Sequence, residues 1–100
     1  MNTEKQLSNF LDANGRLYAF PARRKMKICS LMFFSESFET GRIYSEPEVN
    51  DIINSHSTFN DPATVRRELC AYGFLERTTD CKIYRKPETC PTFNTTEEEH

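Results

Sequence analysis

The chain has 100 residues, 37% apolar and 28% charged, with a formal charge of −2. That is enough for one domain with one modest core, and no run approaches the roughly 20 apolar residues of a membrane span. The amino-terminal MNTEKQLSNFLDANG has neither a basic start nor an apolar stretch, which points to a cytoplasmic protein.

In chain order, Thr3 to Ala13 is predicted to be a short amphipathic helix. Thr3 and Gln6 fit a capping box, Leu7, Phe10 and Leu11 form an apolar stripe, and Asn14-Gly15 is a stop. A basic connection, GRLYAFPARRKMK, leads into a second helix over Ala22 to Phe38, with Pro21 suited to its first turn. There Ile28, Leu31, Met32, Ser35 and Phe38 recur at helical spacing, Phe33 and Phe34 widen the apolar face, and Gly41 terminates. Residues 41–44 read as a short extended strand.

The clearest start signal follows. Ser45 is a cap, Glu48 completes a capping box, and Tyr44 with Val49 makes a hydrophobic staple. Val49, Ile52 and Ile53 face inward. After the turn STFN, Asp61-Pro62 opens a further helix with Asp as N-cap and Pro at the first position. Val65, Leu69 and Tyr72 define its buried face and Gly73 ends it. Residues 74–77 and 82–85 read as the strands of a hairpin around Thr78-Thr79-Asp80-Cys81. Beyond Pro87 the chain is polar and acidic and reads as a disordered tail, outside a single domain over residues 1–86.

Two helices, a tight turn and a hairpin predict a mostly α, α+β fold: a winged helix-turn-helix with an extra amino-terminal helix. Residues from about Gly15 to Lys86 also resemble the bacterial domain of unknown function family 2087. The resemblance rests on GRLYAFPARRKMK, YSEPEVN, DPATVRREL, YGFLER and the final IYR. It implies a prokaryotic winged-helix-like domain, in some relatives placed after a helix-turn-helix of the kind found in transcriptional regulators. The family carries no established activity. The chain departs from its pattern at Arg23, Pro62 and Val65.

Charge is unevenly spread. All 13 Lys and Arg lie before Pro87, so residues 1–87 carry 13 basic and 11 acidic side chains, while Glu88, Glu97, Glu98 and Glu99 follow. Contacts to nucleic acid would therefore come from local clusters. Arg67, with Thr64, is predicted to face the bases from the Asp61–Tyr72 helix, and Arg67 reads equally as part of a solvated face. Arg66 has two readings, a phosphate contact or a bridge to Glu48 or Asp51 on the preceding helix. Arg23, Arg24, Lys25 and Lys27 gather at a helix start, where free backbone N–H groups also suit phosphate, and the same cluster reads equally as a solvated turn. Thr78, Thr79 and Lys82 sit at the hairpin tip, flanked by Arg77 and Arg85; such a wing positions phosphate, or is simply solvated.

The expected partner is DNA, with RNA not separable from it; useful specificity would call for a homodimer or a fused partner. The alternative is a protein-interaction module, in which the acidic tail competes for the basic face. No Gly-rich phosphate loop, HExxH or GxSxG is present, so neither catalysis nor a cofactor is expected. The four cysteines, at 29, 70, 81 and 90, lack a C-x-x-C pair. A metal site drawing on Cys70, Cys81 and His56 is weaker than reduced thiols.

Overall fold

A computed structural model of the chain describes residues 7–80 and 82–89. Its elements in order are α1 (Arg24–Ser35), β1 (Ile43–Ser45), α2 (Glu46–Ser55), α3 (Pro62–Ala71), β2 (Glu76–Arg77) and β3 (Ile83–Arg85). The three short strands form one antiparallel sheet in the order β1-β3-β2. The expected 41–44 segment thus gains a partner that local pattern does not name: Tyr44 lies opposite Tyr84.

One core joins the layers. Leu31 and Phe34 of α1, Val49 and Ile53 of α2, Val65 and Leu69 of α3, and Tyr44, Phe74, Leu75 and Tyr84 around the sheet are all buried in one cluster. Phe38 and Tyr44 meet edge to face at 5.1 Å, a geometry that favours aromatic pairs beyond the area they bury. Among the described residues, no helix is long and apolar enough to cross a membrane.

The predicted capping box on α2 is present in both halves. The Ser45 amide donates to Glu48 Oε1 at 2.8 Å, and the Glu48 amide donates to Ser45 Oγ at 3.3 Å. The Ser45 amide, foremost, holds the Glu48 carboxyl below the usual carboxylate range; the Ser45 hydroxyl and the Arg42 charge pull the same way, against desolvation. A carboxyl depressed by folding stabilises above its unfolded pKa, and that contribution is lost as pH falls through the folded value. Glu48→Gln is therefore expected to lower the melting temperature slightly near neutrality and to change it little at acid pH, flattening the acid limb of a thermal-melt profile.

Asp61 likewise caps α3, with Pro62 at its first position. Asn60, just before it, takes φ +54°, a left-handed conformation that Asn tolerates. The far end of α3 is a complete Schellman closure. The Phe74 amide donates to the Leu69 carbonyl, the Gly73 amide to that of Cys70, and Gly73 has φ +86°.

Elsewhere the elements differ from expectation. No α-helix is present over residues 7–13; Ser8–Phe10 is a single 3₁₀ turn and Leu11 is extended. The Asp12 carboxylate accepts from the Asn14 and Arg16 amides, so a local turn wins over the helix. Leu7, Phe10 and Leu11 nonetheless join the core. The Thr3–Gln6 capping box lies outside the described residues.

Helix α1 begins at Arg24, leaving Pro21 ahead of the Arg23 N-cap, and it stops at Ser35 rather than Phe38. Past Ser35 the bonds tighten to i→i+3 turns, the Phe38 amide donating to the Ser35 carbonyl at 3.1 Å, and Lys86 Nζ donates to the same carbonyl at 2.9 Å. Tyr72 lies just past the end of α3 as its C-cap, half-buried against the core. The hairpin strands are shorter than predicted because Phe74 and Leu75 turn inward, both amides donating to Leu69. Of the tail, residues 90–100 lie outside the described part.

Candidate nucleic-acid interface

Helix α3 is fixed by its apolar side. Val65 and Leu69 are fully buried, and at about 100° per residue the intervening Arg67 must emerge on the opposite side. It does: Arg67 is exposed and makes no ion pair among the described residues.

Its neighbours are engaged. Arg66 is half-buried, donates to Asn50 Oδ1, and pairs with Glu46 at 3.4 Å. Of its two readings, the structure carries the bridge to the preceding helix, with a correction of partners. Glu46 and Asn50 are one turn apart on the side of α2 that meets α3, whereas Glu48 is bound into the capping box beside Arg42 and Asp51 is exposed. The Thr64 hydroxyl donates to Asp61 Oδ2 at 2.8 Å and so belongs to the cap of its own helix.

Between α3 and the hairpin lies an open cleft of about 740 Å³. Arg66, Arg67 and Cys70 line one wall, Glu76 and Arg77 the other, with Leu75 and Tyr84 on the floor. Glu76 is paired with Arg85 at 2.6 Å, which cancels the cleft's acidic charge and leaves arginine dominant. The hairpin tip is internally braced. Asp80 Oδ1 accepts from the Thr78 hydroxyl and the Lys82 amide, bonds that hold its carboxyl below the ordinary range. The Lys82 side chain remains exposed.

The basic start of α1 meets α3 through one ion pair. Lys27 approaches Glu68 of α3 at 4.0 Å, with Arg23 and Arg24 exposed and Lys25 half-buried just before it. On the sheet's outer face Ile43 and Ile83, 57% and 44% exposed, line a shallower hollow of about 280 Å³ with Thr78 and Arg85. Among the described residues no group of His, Cys, Asp and Glu could hold a metal ion; Cys81, part of the metal reading, lies outside them.

A family model described as an uncharacterised protein conserved in bacteria, DUF2087, matches residues 16–86. The chain belongs to the DUF2087 family. No curated protein and no solved structure matches it. The DUF2087 segment begins and ends on two cationic side chains that clasp helix ends. Arg16 donates to the Asn54 and Ser57 carbonyls at 2.7 and 2.6 Å, closing α2, and Lys86 donates to those of Ser35 and Phe38, closing α1. Sequence reasoning missed both, since their partners stand between 38 and 51 positions away. A cation at a helix C-terminus satisfies orphan carbonyls and complements the helix dipole.

Proposed function

We propose that this protein is a winged helix-turn-helix module that binds duplex DNA, in the manner of a transcriptional regulator, with α3 as recognition helix. The element order helix-strand-helix-turn-helix-hairpin, with β3 between β1 and β2, supports the fold assignment. The observation that carries the function is the open, arginine-rich cleft between α3 and the hairpin, with Arg67 exposed at its edge. B-DNA's major groove is roughly 12 Å wide and admits such a helix. Arg23, Arg24, Lys25 and Lys82 would then meet phosphates, whose contacts position without reading sequence. One domain of this size presents little surface, so useful specificity calls for a second copy or a fused partner. The role is binding, not catalysis.

Fluorescence anisotropy with a labelled duplex at rising salt tests it. Binding at low salt that weakens linearly on a log–log plot is expected, and Arg67→Ala should weaken it further. An absence of binding at low salt overturns the proposal.

The exposed Ile43 and Ile83 favour a second reading, a protein-interaction module using the outer sheet face. Loss of partner capture in Ile43→Glu, with DNA affinity absent throughout, would support that reading instead.

A further inference from the structure

We infer that direct base reading by α3 is confined to one guanine per protein copy, contacted by Arg67; this rests on the DNA-binding reading above. The argument is one of elimination. Among the described residues, α3 carries four long or hydrogen-bonding side chains besides its cysteine, and three are engaged. Thr64 is held by Asp61, Arg66 by Glu46 and Asn50, and Glu68 faces Lys27. Arg67 alone is exposed and unpaired.

One turn on either side of it stand Ala63 and Ala71. Their methyls let the helix backbone sit deep in a groove and add no donor or acceptor to compete. A guanidinium fork matches guanine O6 and N7, the commonest specific pairing, and matches no other base edge as well. The recognition helix is therefore a one-letter reader, and the hairpin and α1 cluster contribute affinity without sequence.

The test is selection of duplexes from a randomised library by the full chain, followed by titration of single-base variants. Wild type should prefer guanine about 10-fold at one position per bound copy. Arg67→Ala should lose that preference while still retaining DNA, and Thr64→Ala should keep it. Three results overturn the inference while leaving DNA binding intact: retained duplexes with no preferred base, a guanine preference surviving in Arg67→Ala, or a preference altered by Thr64→Ala. A phosphate role for Arg67 would show as uniform weakening across sequences with a salt slope reduced by about one. Retention of no duplex would instead overturn the DNA-binding proposal, and this inference with it.

Discussion

Leu69→Ala is expected to lower stability by about 3 kcal/mol, the usual cost of a cavity at a fully buried leucine. Leu69 has no exposed surface, and its carbonyl accepts from both Phe74 and Leu75, where the chain leaves α3 for the hairpin. The residue thus sets two things at once: which way α3 faces and where the sheet begins. A small domain has only about 5–15 kcal/mol in hand, so the loss is a large fraction of the whole. In urea the midpoint should fall by on the order of 2 M. A midpoint within experimental scatter of wild type would mean that α3 is not seated on this core.

Arg16→Ala is the second large effect, about 2 kcal/mol. Two charge-assisted bonds to backbone carbonyls disappear, each contributing roughly 1.5–3 kcal/mol when a charged donor is involved. The sum is held down because Arg16 Nε and Asn54 Oδ1 are buried without partners among the described residues, a penalty the substitution partly relieves. The carbonyls it serves, at Asn54 and Ser57, lie where α2 ends and the turn toward α3 starts. Faster amide exchange over residues 54–60 in Arg16→Ala is the accompanying expectation; unchanged exchange there would contradict the clasp.

Local chemistry carried much of this fold into the sequence. Ser45 with Glu48 and Asp61 with Pro62 announce their helices within four residues, because capping is a contact between near neighbours. The inward positions Val49, Ile53, Val65 and Leu69 follow from helical periodicity alone. What failed had a competing or a distant cause. The Leu7–Phe10–Leu11 stripe suggested a helix, yet the Asp12 side chain closes a turn that the stripe says nothing about. The end of α1 is clasped by Lys86, and β1 pairs with β3; both contacts join residues about 40 or more apart.

The site shows the same division. Exposure of Arg67 was legible from the spacing of Val65 and Leu69. The bridging role of Arg66 was legible too, but its partners required knowing which side of α2 meets α3, and Glu46 and Asn50 take the place of Glu48 and Asp51. Thr64 looked free because its hydroxyl bond to Asp61 competes with any groove contact only once the cap has formed. The cleft itself, built from two separate elements, had no signal in either one.

The most direct test of a DNA-facing α3 is an amide chemical-shift map of the ¹⁵N-labelled protein during titration with a short duplex at low salt. The expected shifts gather at Ala63, Arg67 and Ala71 on α3, at Arg77 and Lys82 of the hairpin, and at Arg23 and Arg24. Shifts confined to Ile43 and Ile83 on the outer sheet face, or none anywhere, would contradict the account.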